Sequence, residues 1–281
     1  MMTSIPRLDA SALLKRYGLR ADKRLGQNFL EDPRALETIA AAAEIQPADT
    51  VLEIGPGLGS LTRYLAAAAR EVIAVELDPD LIPPLEAVLQ PYPNVRIVQG
   101  DILKILPSEL TSKPGYLVAA NIPYYITSAI VRHLLEHEPK PRRLVLTIQR
   151  EVAERICAEP GDMSLLALSV QVYGKPHIAA HIPPEAFFPV PKVDSAVLCV
   201  EIYPAPQIPH EALERFFKFV KAGFSQKRKT LRNALSAGLH VQPAKTEALL
   251  RQAGIDPMRR AETLSLEEWQ RLVEAEQATG R

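Results

Sequence analysis

The tetrapeptide Asn121-Ile122-Pro123-Tyr124 carries residue types that could hold an exocyclic amine. The run 116–120 before it is short and apolar, which predicts a buried β-strand that ends at Asn121. The Asn121 side-chain oxygen and the Pro123 carbonyl are acceptors, and each could take one N–H of an NH₂ group. Tyr124 offers a ring for stacking, and Pro123 fixes its own φ. The pattern indicates recognition of a nucleobase amino group. The alternative is a strand-to-turn transition built from ordinary turn residues, which would show the same four residue types.

A second group of residues comprises Glu53, within the strand-like run 51–54, and Gly55, Gly57 and Gly59, which follow that run. Glycines at the first strand-to-helix turn of an α/β sheet let a ligand approach the backbone. The spacing is G-x-G-x-G, which differs from the G-x-G-x-x-G of dinucleotide-binding proteins. Glu53 would repel a pyrophosphate and attract a cation. S-adenosylmethionine (SAM), with its sulfonium and ammonium groups, fits that charge.

Two more acids stand at the ends of the next predicted strands. Glu76 comes 21 residues after Gly55, where a carboxylate can accept from both ribose hydroxyls. Asp101 follows the third strand and could accept from an adenine amino group. Together these positions predict a SAM site. A nicotinamide dehydrogenase is the alternative enzyme class, but it explains neither the glycine spacing nor Asn121.

The hydrophobic pattern predicts the strands and helices that would position these residues. Strand-like and helix-like segments alternate from residue 50 onward, which predicts an α/β fold with a mostly parallel seven-stranded sheet and helices on both faces. Residues 168–173 fit either a strand or a helix. Three prolines within 203–209 suggest a domain boundary, and the chain beyond reads as helical. We therefore predict a Rossmann-like catalytic domain with a basic N-terminal arm over 1–206, and a small helical domain over 207–281.

Composition narrows the class of protein. The chain has 281 residues, 47% of them hydrophobic, and a formal net charge of zero. Cys157 and Cys199 suit neither a disulfide framework nor a metal site, which favours a reducing compartment. No signal peptide and no apolar run of membrane-spanning length is recognisable. We expect a cytoplasmic protein.

Six motifs, taken in order, resemble one family, the bacterial KsgA/RsmA small-subunit rRNA adenine N6,N6-dimethyltransferases. The resemblance covers about residues 23–269. Besides the glycine turn and 121–124, it is carried by segments 25–30, 149–155, 187–195 and 224–232, which read LGQNFL, QREVAER, FFPVPKVDS and FSQKRKTLR.

The resemblance implies the reaction and several contacts. It implies SAM contacts at Asn28, Leu30, Gly55, Glu76, Asp101 and Asn121. It also implies that the substrate is two adjacent adenosines near the 3′ end of small-subunit rRNA, in a pre-30S particle, and that the enzyme is a monomer. Two alternatives stay open. One is a large-subunit rRNA adenine methyltransferase of the antibiotic-resistance type, and the other is a non-catalytic assembly or transcription factor that keeps the fold.

Substrate contacts are predicted in two further segments. Either Phe187 or Phe188 could sandwich an unstacked base together with Tyr124, with core packing as the alternative. Residues 211–235 contain seven basic side chains against Glu211 and Glu214, which favours a phosphate-contacting surface. The residues predicted to contact phosphate in this segment are Lys227, Arg228, Lys229 and Arg232. The histidine pairs 133/137 and 177/181 have no third ligand nearby in the sequence, so no metal site is predicted.

Overall fold

The computed structural model describes residues 5–122 and 127–279. Two residues chosen for catalysis, Pro123 and Tyr124, lie outside this part of the chain. The contacts divide the protein into two compact units. The first comprises Met1–Ala153 and Pro176–Ile202, and the second comprises Glu154–Lys175 and Tyr203–Arg281.

In the described part of the chain the strands have the following bounds: β1 (Phe29–Leu30), β2 (Thr50–Ile54), β3 (Glu71–Glu76), β4 (Val95–Gln99), β5 (Leu117–Asn121), β6 (Arg143–Gln149), β7 (Gly174–Ile182), β8 (Phe187–Phe188) and β9 (Ser195–Ile202). The helices are α1 (Ala10–Arg16), α2 (Pro33–Ala42), α3 (Ser60–Ala68), α4 (Ile82–Leu89), α5 (Pro107–Leu110), α6 (Thr127–Glu136), α7 (Arg150–Ile156), α8 (Leu165–Gln171), α9 (His210–Phe224), α10 (Leu231–Leu239), α11 (Pro243–Gln252) and α12 (Leu266–Thr279).

Seven strands form one sheet in the order β4-β3-β2-β5-β6-β9-β7. The first five are parallel to their neighbours, and β9 runs antiparallel to β6. Every residue of β2 is buried, as are the first four of β5, as expected for central strands that are covered on both faces. The predicted fold class, a Rossmann-like sheet with a helical C-terminal region, is confirmed.

The order of the strands determines where a ligand can bind. The chain leaves β2 toward β3 and β4 on one side, whereas β5 and β6 lie on the other side. Such a reversal opens a crevice at the carboxyl ends of the central strands. The glycine turn after β2 and Asn121 at the end of β5 both lie at this edge, because the two strands are adjacent and parallel.

A separate two-stranded ribbon pairs β1 with β8. Phe29 lies opposite Phe188, and Leu30 lies opposite Phe187. The next residue, Glu31, donates its backbone N–H to the Ala186 carbonyl at 2.9 Å. The ribbon therefore joins the segment 25–30 to the segment 187–195, two motifs that are far apart in the sequence.

The second unit is helical and has its own core. Trp269 of α12 is fully buried. A Cβ atom on Gly223 of α9 would come within 2.5 Å of the Trp269 ring, so only glycine allows the two helices to approach this closely. A Cβ atom on Gly238 of α10 would likewise come within 2.7 Å of Ala222 of α9. Small residues thus set the spacing of these helices.

The two units differ from the predicted domains at residues 154–175, which were predicted to belong to the catalytic domain. The structure groups them with the helical unit. The backbone N–H groups of Gly161 and Met163 both bond to the Glu262 carbonyl, and Gln207 donates to Val172. The ambiguous stretch 168–173 belongs mainly to helix α8, which Ser164 caps by accepting from the Ala167 N–H at 3.1 Å.

Candidate cofactor and acceptor site

The turn between β2 and α3 is built from glycines in the left-handed region. Gly55, Gly57 and Gly59 have φ values of 68°, 58° and 83°. A side chain at Gly57 would also meet the Phe29 ring at 3.1 Å. The turn therefore needs glycine both for its conformation and because β1 lies directly against it.

Glu76 is fixed by the backbone at the end of β3. Its Oε2 accepts the Gly57 N–H and its Oε1 accepts the Asp78 N–H, each at 2.9 Å. The side chain is buried, and burial raises its pKa, while the two backbone donors act in the opposite direction. The carboxylate thus has one fixed position beside the glycine turn.

Glu53 is the more unusual acid. It is 1% exposed, and its Oε2 has no hydrogen-bond partner among the described residues. Burial, with a smaller contribution from the charge of Glu76, raises the pKa of Glu53 to about 8. A buried acceptor without a donor is costly, and a cationic ligand in the adjoining cavity would relieve that cost.

Asn121 ends β5 with a fixed amide. Its Nδ2 donates to the Asn28 backbone carbonyl at 3.0 Å. The Asn28 side chain in turn donates to the Gly26 carbonyl at 3.1 Å. Because the Asn121 NH₂ group is engaged by the loop, its Oδ1 is the side of the amide that can accept from a substrate.

One cavity brings these groups together. It lies at the carboxyl edge of β2, β3 and β5, and the loop 25–30 forms one of its walls. All eight residues predicted for the cofactor line it: Asn28, Leu30, Glu53, Gly55, Gly57, Glu76, Asp101 and Asn121. Asp101 also accepts the Leu103 N–H at 3.1 Å and lies 3.7 Å from the Lys104 ammonium group.

Sequence reasoning missed two apolar walls of this cavity. Leu77 directly follows Glu76 and is 47% exposed, and Ile102 directly follows Asp101. Each apolar side chain thus stands next to an acid, an arrangement that could hold a flat ring between two apolar surfaces. The sequence contains a signal for these walls, since an apolar residue follows an acid at two successive strand ends.

The two candidate phenylalanines differ in burial. Phe187 is 3% exposed and packs in the core of the first unit with Leu30 and Leu36. Phe188 is half-buried and packs against a smaller cluster that includes Phe29. Strand alternation explains the difference, because successive side chains point to opposite faces. The burial of Phe187 favours the core interpretation for that residue and keeps Phe188 as the candidate for stacking.

The four basic residues predicted to contact phosphate differ in their surroundings. Lys227, Arg228 and Lys229 are exposed, and no ion pair engages them within the described residues. Arg232, by contrast, is half-buried, and its Nη1 lies 3.0 Å from a carboxylate oxygen of Glu247. The structure thus leaves the first three available for phosphate and commits Arg232 to an intramolecular contact.

Both histidines of the pair 133/137, the first on α6 and the second directly after it, bond to backbone carbonyls. His133 Nε2 bonds to the Ile105 carbonyl at 2.9 Å, and His137 Nδ1 bonds to the His133 carbonyl at 2.8 Å. In the ranges that the structure describes, no group of three metal-ligating side chains comes together. Over the same ranges, no helix has the length and apolar character needed to cross a bilayer.

The fold and the cavity define a class, the Rossmann-like methyltransferases. Residues 18–277 match the sequence profile of the family described as ribosomal RNA adenine dimethylase. The chain belongs to this ribosomal RNA adenine dimethylase family, which confirms the resemblance found in the sequence.

Curated relatives carry a more specific name. A protein of Dehalococcoides mccartyi named ribosomal RNA small subunit methyltransferase A is 48% identical over 96% of this chain and 94% of its own length. A protein of the same name from Moorella thermoacetica is 44% identical, over 92% of this chain and 93% of its own.

Solved structures show the same relationship. A dimethyladenosine transferase from Plasmodium falciparum is 26% identical with a TM-score of 0.74, covering 90% of this chain and 98% of its own. The 23S rRNA methyltransferase ErmE is 34% identical with a TM-score of 0.72, covering 88% of this chain and 99% of its own.

Proposed function

We propose that this protein transfers methyl groups from SAM to the N6 atoms of two adjacent adenosines near the 3′ end of small-subunit rRNA. The observation that carries the proposal is the meeting of Asn121 with three acids, Glu53, Glu76 and Asp101, in one cavity at the sheet edge. Family membership and the names of the relatives support the choice of RNA and of adenine.

The acids and apolar walls of the cavity support SAM as its ligand. Glu76 would accept from the ribose hydroxyls, since both of its oxygens are already oriented by backbone donors. Asp101 would accept from the adenine amino group, and Leu77 and Ile102 would enclose the ring. Glu53, whose Oε2 is buried without a donor among the described residues, would face the cationic end. When bound, SAM supplies an electrophilic methyl group and a thioether leaving group.

The protein's part in the reaction is to orient the acceptor. The Asn121 Oδ1 would accept one N–H of the target amine, and the Pro123 carbonyl would accept the other. Both contacts favour a pyramidal nitrogen whose lone pair is available for attack. Placing that nitrogen in line with the methyl carbon supplies much of the acceleration. Tyr124 and Phe188 would hold the base between them.

The RNA must present its bases unpaired, because a stacked and paired adenine cannot enter such a cavity. The exposed cations Lys227, Arg228 and Lys229 would contact phosphates of the same RNA. A pre-30S particle acted on by a monomeric enzyme in the cytoplasm is the setting we propose.

The second candidate function is methylation of large-subunit rRNA, which the likeness to ErmE at 34% identity brings into consideration. The curated relatives named small subunit methyltransferase A reach 48% identity and favour the first function. A non-catalytic assembly factor is disfavoured because every acid of the cavity is retained.

The test is transfer of labelled methyl from SAM to ribosomal subunits from a strain that lacks the modification. Small subunits, large subunits and duplex DNA are incubated in parallel. We expect label only in small-subunit RNA. Label in large-subunit RNA would assign the protein to the resistance type, and absence of label from every substrate would overturn the enzymatic proposal.

A further inference from the structure

Gln27 bridges two segments that are distant in the sequence. It lies in the loop 25–30, which forms one wall of the cavity. Its Oε1 accepts the backbone N–H of Asp22 at 2.8 Å, and its Nε2 donates to Asp78 Oδ2 at 2.6 Å. Both ends of this amide are therefore engaged, and the contact to Asp78 spans 51 residues.

Asp78 connects Gln27 to the carboxylate proposed to hold the ribose. The Asp78 backbone N–H donates to Glu76 Oε1 at 2.9 Å, and Glu76 Oε2 accepts from Gly57. The other carboxylate oxygen of Asp78 caps the short 3₁₀ helix 79–81 by accepting the Asp80 N–H at 3.1 Å. A continuous series of polar contacts thus runs from the glycine turn to the loop 25–30.

The next residues of the same loop hold the acceptor side of the site. The Asn28 carbonyl accepts from Asn121 Nδ2, and Phe29 pairs with Phe188 across the ribbon. A shift of the loop would therefore move the amide of Asn121 and the ring of Phe188 together. The loop has an attachment on each side of the cavity, at Asp78 and at Asn121.

We propose that Gln27 is a positioning residue that fastens this loop to Glu76 through Asp78, so that cofactor binding and acceptor placement depend on one another. The inference rests on the proposed function, since it takes the cavity to be a SAM site. An amide suits position 27 because it donates to the Asp78 carboxylate and also accepts the Asp22 N–H. A glutamate there would set two negative charges against each other and displace the loop.

Exchanging the amide and the carboxylate between positions 27 and 78 tests the proposed contact directly. Four proteins are compared: the wild type, Gln27→Glu, Asp78→Asn, and the double variant. In the double variant the amide introduced at position 78 can donate to the carboxylate introduced at position 27, which reverses one hydrogen bond. The contacts to the Asp22 and Asp80 N–H groups and the net charge are kept.

The dissociation constant for SAM is measured by calorimetry, and kcat and KM are measured with small subunits as substrate. Gln27→Glu should weaken SAM binding about tenfold or more and lower kcat, because a charge-assisted bond is replaced by repulsion. The double variant should return to within about threefold of the wild type, as expected for a directly coupled pair. The melting temperature without cofactor should fall by at most a few degrees in any of the variants, as expected when one hydrogen bond is lost from a chain of this size.

Gln90→Glu is the matched control, since Gln90 is an exposed glutamine at the end of α4, and it should change none of these quantities. A double variant as impaired as Gln27→Glu would overturn the inference, as would a loss of SAM binding that merely follows a fall in melting temperature. Failure of the wild type itself to bind SAM would instead contradict the proposed function.

Discussion

The carboxylate of Glu76 accepts the backbone N–H of Gly57 at 2.9 Å, which ties the end of β3 to the glycine turn that follows β2. A main-chain donor that points at a side-chain carboxylate fixes that carboxylate without using a second side chain. The remaining acceptor capacity of Glu76 is directed into the cavity, where the proposed ribose would lie.

Glu76→Gln should therefore weaken SAM binding by about tenfold or more, because a neutral amide makes weaker bonds to ribose hydroxyls than a carboxylate. Calorimetry gives the dissociation constant directly. Glu86→Gln, which alters an exposed glutamate on α4, serves as the control and should leave it unchanged. If Glu76→Gln and the wild type bind SAM with equal affinity, the ribose does not contact Glu76.

Glu53 should make both stability and cofactor binding depend on pH. Its pKa is about 8 in the folded protein, against 4.5 as the reference value. The folded state holds the proton more tightly, so the stability from this group is complete below pH 4.5 and is lost as pH rises toward 8. A bound cation favours the ionised carboxylate, so SAM affinity should rise over the same interval.

Glu53→Gln should flatten both profiles. Without cofactor, the variant should melt at a higher temperature than the wild type near pH 8, and it should bind SAM more weakly there. Thermal unfolding and calorimetry across roughly pH 5–9 report the two effects. Parallel pH profiles for variant and wild type would show that Glu53 does not titrate with this shift.

Asn121→Ala should abolish methyl transfer, because its Oδ1 is assigned to the acceptor amine. SAM affinity should stay within about threefold of the wild type, since the loop 25–30 keeps its attachment through Gln27 to Asp78. Single-turnover transfer is measured beside SAM binding, with circular dichroism to confirm folding. If the loss of transfer is accompanied by a loss of SAM binding, the main role of Asn121 is to hold the loop through its contact with Asn28.

Reversal of charge at Lys227, Arg228 and Lys229 should weaken RNA binding and reduce the slope of log affinity against log salt by about three, one for each lost phosphate contact. Lys245→Glu alters an exposed lysine elsewhere in the second unit and should leave the slope unchanged. An unaltered slope in the triple variant would place the phosphate surface on other residues.

Much of the fold could be predicted because it depends on local patterns. The apolar runs at 51–54, 72–75 and 117–120 became parallel strands, and the glycine spacing marked the turn between β2 and α3. The cavity residues that follow strands could be found for the same reason, since parallel strands end at one edge of the sheet.

Three features that sequence reasoning missed are set by partners that the fold brings together. Gln27 lies in the recognisable motif 25–30, but its partner Asp78 is brought to it only by the fold. Burial separated Phe187 from Phe188, because pairing with β1 decides which ring faces the core. Arg232 looked like its basic neighbours until Glu247 of α11 was placed beside it.

Mass spectrometry of nuclease fragments of small-subunit RNA is the most direct test of the proposed reaction. The RNA comes from a strain that lacks the modification and is analysed after reaction with SAM and either the wild-type protein or Asn121→Ala. We predict N6,N6-dimethyladenosine at two adjacent positions near the 3′ end with the wild type and none with the variant. Unmodified adenosine at those positions, from a wild-type protein shown to bind SAM, would contradict the proposal.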